Sequence, residues 1–271
     1  MTVLTFTKHH GIGNDFLVTF ADDPPAGAQW DEVARRVCHR RRGVGADGLL
    51  VAVPGANDVD VGMRLYNADG TMAEMSGNGI RCLVQAWARR HRQERGDVVV
   101  DTAAGPRSVG FTSAADEHSM IATVDMGPII TIDPPPAWPS VAAHEGRPVA
   151  HLSLGNPHTV VAVEDVRAVD LESIGLQVAE VNLEIIEPGP DPNALTMRVH
   201  ERGAGITEAC GTGACAAAWA AASWGLVPGR SGEITVHMDG GDARVRLDQP
   251  GPGRVTLIGP VTFVATVEVE L

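Results

Sequence analysis

A thirteen-residue stretch, Asn67–Gly79 (NADGTMAEMSGNG), returns in altered form as Glu201–Gly213 (ERGAGITEACGTG), at a constant offset of 134. Glu74 lines up with Glu208, Ser76 with Cys210, Gly77 with Gly211 and Gly79 with Gly213. In each copy strand-like residues come before, and a helix carrying Ala and Trp comes after. A second pair, Gly13-Asn14 and Gly155-Asn156, lies upstream at an offset of 142. An ordered set of matches in one context points to duplication. The chain must then fold as two similar halves, each with a glycine-flanked Ser or Cys at the start of a helix.

The remaining periodicity fits an α/β (α+β) protein. Segments 2–8, 15–20, 48–53, 60–66, 97–101, 119–125, 158–163, 180–186, 194–200, 233–238, 242–247 and 261–269 alternate or run apolar as strands do. Helices are predicted over 30–40, 79–92 and 213–224. The second ends in Arg89, Arg90, His91 and Arg92, a charge suited to a helix C-terminus and read as a solvated end. The third, ACAAAWAAASW, is apolar on every side, as in a helix enclosed by other structure. Breaks fall at 22–28, 133–139, 187–193 and 249–253. The Pro-rich 133–139 stretch lies near a plausible domain boundary.

Composition narrows the function. Among 271 residues, 21 Lys and Arg face 34 Asp and Glu, a net charge of −13. Nucleic-acid binding needs clustered positive charge, and five Trp, five Phe and one Tyr leave little for base stacking. No apolar run approaches the ~20 residues of a membrane span, and the first residues lack a signal-peptide segment. Cys38, Cys82, Cys210 and Cys215 form no CxxC pair, so a reduced, cytoplasmic protein is expected. Lys8 is the sole lysine, which leaves one candidate for any Schiff-base chemistry. The ten histidines show no HExxH and no Cys/His spacing, so no metal is expected. Gly43–Gly48 fits GxGxxG but runs into a strand, and is read as a turn. Gly211–Ala216 opens a helix but follows its strand only after a loop, so no dinucleotide site is expected.

The repeat has chemistry of its own. Ser76 and Cys210 each stand before Gly-x-Gly at a helix start, where free backbone N–H groups bind anions and glycine admits close approach. The positive helix end also favours thiolate over thiol. Two such groups on opposite sides of one carbon could remove a proton from one face and return one to the other. The plainer alternative is capping by Ser76 and simple burial of Cys210. His158, in Gly155-Asn-Pro-His158, is either an auxiliary acid/base or a core histidine.

These residues resemble the diaminopimelate epimerase family over nearly the whole chain. The markers are Phe6–Phe16 (FTKHHGIGNDF), Gly45–Gly48, Tyr66–Gly70, Gly77–Gly79, Gly155–His158, Val181-Asn182, Glu201–Gly203 and Ala209–Ala214. The resemblance implies two pseudo-symmetric domains, 1–122 with 260–271 and 123–259, each a curved, mainly antiparallel sheet around a central helix. It places the active site in the interdomain cleft. It implies a homodimer and cofactor-independent epimerisation of LL- to meso-2,6-diaminopimelate by two bases. Cys210 matches one catalytic cysteine of the family. Gly77, Asn78, Gly211 and Thr212 match the cradle of the reacting carboxylate, and Asn14 its surroundings. Asn67, Asn156, Asn182 and Arg202 match the grip on the distal carboxylate, and Glu201 the site of the distal ammonium.

Ser76 departs from the pattern, which has cysteine there. Serine is a weak base without an activating partner, and Cys82, six residues on, is a poor substitute. Three readings stay open: a variant relaying its proton through Ser76 and a water, an engineered Cys→Ser form, or changed chemistry. The last covers a racemase or one-base lyase for another amino acid, and a silent amino-acid-binding homologue. His9 (commonly Met), Gly48 (often Gln) and His200 (often aromatic) are smaller departures.

Overall fold

The computed structural model describes residues 3–21, 29–116, 118–140, 146–228, 232–249 and 251–270. The predicted break at 22–28 and residue 250 of the break at 249–253 lie outside them. The chain divides into two compact units, Met1–Val124 with Gly259–Leu271, and Asp125–Ile258.

The first unit contains β1 (Val3–Gly11), β2 (Asn14–Phe20), α1 (Trp30–Val37), β3 (Gly48–Pro54), β4 (Val61–Asn67) and β5 (Met72–Ala73). It continues with α2 (Gly77–His91), β6 (Arg95–Asp101), β7 (Arg107–Ser113) and the first part of β8 (Ser119–Pro128). The second unit contains the end of β8, then β9 (Ile130–Thr131), β10 (Val149–Ser153), β11 (Pro157–Ala162), α3 (Leu171–Gln177), β12 (Asn182–Pro188) and β13 (Ala194–Glu201). There follow β14 (Gly205–Thr207), α4 (Gly211–Ser223), β15 (Glu233–Met238), β16 (Gly241–Leu247) and the start of β17 (Arg254–Glu270). The rest of β17 belongs to the first unit, where it pairs antiparallel with β1, Val3 opposite Glu270.

The duplication is exact in register. In the first unit Leu65 opposes Ala73 and Tyr66 opposes Met72; in the second Val199 opposes Thr207 and His200 opposes Ile206. The offset is again 134. Parallel pairings recur too: β2 with β3 and β4 with β6 in one unit, β11 with β12 and β13 with β15 in the other. The other main ladders are antiparallel, so each unit is a mixed, mainly antiparallel sheet.

Each sheet curls around one helix. α2 packs on strands β1 to β4, β6 and β7, and α4 on β10 to β13, β15 and β16. In the first unit the curl closes where Phe263 N–H donates to His118 O and Ser119 Oγ meets Thr262 Oγ1. The all-apolar composition of α4 is explained by this enclosure: Ala214, Cys215, Ala216, Ala217, Ala218, Ala220 and Ala221 are all buried. α1 and α3 pack on the outer faces, α1 through Trp30, Ala34 and Val37 and α3 through Leu171. The basic end of α2 is partly occupied rather than merely solvated. Arg89 lies 3.8 Å over the Phe263 ring and Arg90 4.4 Å over Phe20. Among the described residues no helix is long and apolar enough to cross a membrane.

One departure in the family pattern has a stability consequence. His9 is fully buried on β1, and its Nδ1 is 2.7 Å from Gln85 Oε1. Gln85 spends its amide hydrogens on His118 O and Val261 O, so His9 Nδ1 is the donor and Nε2, which has no hydrogen-bond partner among the described residues, stays unprotonated. Burial lowers its pKa from 6.5 to about 4. The unfolded chain then binds a proton that the folded chain refuses. This stability is complete above pH 6.5, and falls as the pH drops toward about 4. The loss is about 3 kcal/mol at most. Unfolding free energies from urea melts above and below that window are expected to differ in the present protein, and to lie closer by up to that amount in His9→Met.

Candidate functional site

Ser76 and Cys210 are helix N-caps of matching geometry. Ser76 has φ −140° and ψ 122°, and its Oγ accepts from Gly79 N–H at 3.0 Å. Cys210 has φ −128° and ψ 114°, and its Sγ accepts from Gly213 N–H at 3.3 Å. Capping is thus real in both: it satisfies the Gly79 and Gly213 N–H groups, at helix starts of the kind that suits an anion. Gly213 is required for a local reason: a Cβ there would lie 2.5 Å from Glu184 Oε1.

In the first unit, Gly77 and Asn78 open α2, and Asn78 Nδ2 donates to Asn14 Oδ1 at 3.1 Å. Asn14 Nδ2 in turn donates to Asp47 Oδ2 at 2.8 Å. Asp47 belongs to an ionic cluster in which Arg40 bridges Asp15 and Asp47, and Lys8 Nζ lies 2.8 Å from Asp15. Burial alone would raise the Asp15 carboxyl, but hydrogen bonds from Arg40 and Lys8 hold it below the usual range. The sole lysine is therefore a partner in an ion pair, and it also donates to Gly45 O. Arg81, completely buried, donates to Gly77 O and to Asn78 Oδ1, which fixes the start of α2. Asn67 ends β4, with its amide donating to Thr71 Oγ1 at 3.0 Å.

The second unit brings together most of the other predicted residues. Gly211 and Thr212 open α4, and Thr212 Oγ1 lies 3.4 Å from Cys210 Sγ. Asn156 donates to Thr212 Oγ1 at 3.1 Å, and its Oδ1 faces His158 Nε2 at 3.1 Å. Asn182 Oδ1 accepts Arg202 N–H at 2.9 Å, while Thr207 Oγ1 donates to Glu201. Cys210 is 4% exposed. Burial, then the charges of Glu201 and Glu184, push its thiol well above the ordinary range; Thr212 and the Gly213 N–H act the other way. The isolated helix-end argument predicted a lowered thiol, and here desolvation outweighs it. Cys82, buried in α2, is pushed up to about 12 by desolvation.

Two residues escaped the sequence reading. Glu184, in the strand run Leu183-Glu-Ile-Ile186, is fully buried against His158; Arg81 interrupts the apolar face of α2. Each is a charge where the pattern calls for an apolar residue, and that was the available signal.

The diaminopimelate epimerase family profile matches residues 6–132 and 151–264. A diaminopimelate epimerase of Desulfitobacterium hafniense is 36% identical over 281 residues, covering 96% of each chain. One of Synechococcus elongatus is 37% identical over 290 residues, covering 99% of each. Among solved structures, a Bacillus anthracis phenazine biosynthesis protein of the PhzF family superposes with TM-score 0.77 at 14% identity, covering all of both chains. A hydroxyproline epimerase from Agrobacterium vitis gives 0.74 at 14%, covering 99% of this chain and 91% of that one. The solved structures share the fold, and the profile and near-full-length relatives together establish that this chain belongs to the diaminopimelate epimerase family.

Proposed function

We propose that this protein is a coenzyme-independent isomerase that converts LL-2,6-diaminopimelate to the meso isomer, a step toward lysine and peptidoglycan precursors. The observation that carries it is the Cys210 thiol at the glycine-rich start of α4, in a chain alike end to end to proteins of that name. In this reading Cys210 takes the α-proton as thiolate. The backbone N–H groups of Gly77, Asn78, Gly211 and Thr212 hold the charge that develops on the reacting carboxylate. The arriving ammonium offsets Glu201 and Glu184, the two carboxylates that disfavour the thiolate. Asn14 lines the reacting end. Arg202, Asn67, Asn156 and Asn182 bind the distal carboxylate, Arg202 bidentately, and Glu201 the distal ammonium. Ser76 returns a proton to the opposite face, through its hydroxyl or a water bound there.

A second reading rests on Ser76 itself: with one strong base, Cys210 would serve a racemase or lyase for another amino acid. Proton NMR of LL- and meso-diaminopimelate with the protein in deuterated water decides among these. The expected result is deuterium at the α-carbon with interconversion of the isomers. Binding without exchange would indicate a silent amino-acid-binding protein. Faster turnover of an amino acid lacking the second amino-acid group would favour the other enzyme. A homodimer and a cytoplasmic location are part of the same proposal and rest on the family resemblance.

A further inference from the structure

Below Cys210 runs a line of buried polar contacts. Glu184 Oε1 lies 2.7 Å from His158 Nδ1, His158 Nε2 3.1 Å from Asn156 Oδ1, Asn156 Nδ2 3.1 Å from Thr212 Oγ1, and Thr212 Oγ1 3.4 Å from Cys210 Sγ. All five side chains are buried, and those of His158 and Glu184 are completely so. Valence fixes the sense of the links from His158 Nε2 onward. A carbonyl oxygen only accepts, so His158 Nε2 carries the hydrogen toward Asn156 Oδ1. The amide of Asn156 donates to Thr212, which leaves the hydroxyl hydrogen of Thr212 for sulfur. Gly213 N–H is a second donor to the same sulfur.

The first unit holds the same positions with other content. At the two repeat offsets Thr212 corresponds to Asn78, Asn156 to Asn14, His158 to Phe16 and Glu184 to Leu50. The ladders agree: His158 pairs with Asn182 as Phe16 pairs with Gly48, and Glu184 with Val199 as Leu50 with Leu65. The buried carboxyl–imidazole couple is replaced there by two apolar side chains. The asparagine links also run the other way, from Asn78 to Asn14 to Asp47, away from residue 76. Burying Glu184, whose Oε2 has no hydrogen-bond partner among the described residues, carries a desolvation cost. The corresponding leucine avoids that cost, so the second unit keeps the couple for some reason other than packing.

We infer that Glu184, His158, Asn156 and Thr212 are positioning residues, a one-way hydrogen-bond chain that aims its donors at the Cys210 sulfur and makes that side chain the proton-removing member of the site. The inference rests on the reading that Cys210 exchanges the α-proton. Two readouts separate the claims: kcat and KM for epimerisation, and the iodoacetamide labelling rate of Cys210 followed by peptide mass spectrometry. Thr212→Val is expected to slow labelling and lower kcat by about 100-fold, with KM within about threefold, the cost of losing one aimed donor. Thr212→Ser restores both. Glu184→Gln keeps a hydrogen-bonding contact to His158 but removes the acidic group, and is expected to lower both about tenfold. The double variant His158→Phe, Glu184→Leu copies the apolar couple that the first unit already accommodates, and is expected to match Thr212→Val. Unchanged labelling in Thr212→Val overturns the chain, and unchanged labelling in Glu184→Gln and the double variant overturns everything beyond Thr212. Absence of α-proton exchange in the unaltered protein would instead defeat the functional reading, while labelling still judges the chain.

Discussion

Alanine at position 210 is expected to lower α-proton exchange from diaminopimelate into deuterated water about ten-thousandfold, the upper range for removal of a positioned base. The thiol also caps α4 by accepting Gly213 N–H, and loss of that cap costs about 1 kcal/mol. The variant should therefore remain folded and still bind substrate. Calorimetric titration and circular dichroism check those two points, and NMR checks the exchange. Exchange at the unaltered rate in Cys210→Ala would remove the thiol from the chemistry.

The second large effect is a gain. Ser76→Cys is expected to raise epimerisation about 100-fold, because a thiol exchanges protons where an unactivated hydroxyl does not. Sulfur suits the position: the backbone at Ser76 is within about 15° of that at Cys210, which already holds a sulfur against the equivalent glycine N–H. The pattern of labelling discriminates further. With serine, deuterium washed in through Cys210 should outpace inversion; with cysteine the two rates should converge. No increase in inversion would mean that Ser76 is already sufficient, or that the protein performs other chemistry.

The sequence made the repeat and the helix starts legible because both depend on local rules. Gly-x-Gly after Ser76 and Cys210 marks the N-termini of α2 and α4 within two residues, and the all-apolar α4 reads as an enclosed helix. Boundaries that depend on tertiary pairing were less clear. The predicted helix 30–40 stops at Val37, and the predicted strand 261–269 extends over Arg254–Glu270. β7 was missed because Arg107 and Gly110 spoil its alternation, although Arg107, Val109 and Phe111 point inward. β10, with intermediate burial and a histidine, gave no clear period, and α3 has seven residues with a central glycine. In the site, residue types were readable but partners were not. Nothing in the sequence says that His158 on β11 faces Glu184 on β12. That contact comes from a parallel pairing across an intervening helix, and a buried carboxylate looks like any surface glutamate until its neighbours are known.

Pairing between β1 and β17 joins residues near opposite ends of the chain, Val3 with Glu270. During synthesis on a ribosome, the first unit would emerge early but lack the strand that lies between β1 and β8 until β17 leaves the tunnel. Its β1 would wait, unpaired on one side, through translation of the whole second unit. Such late, distant closure slows folding and leaves an open edge that invites association between nascent chains.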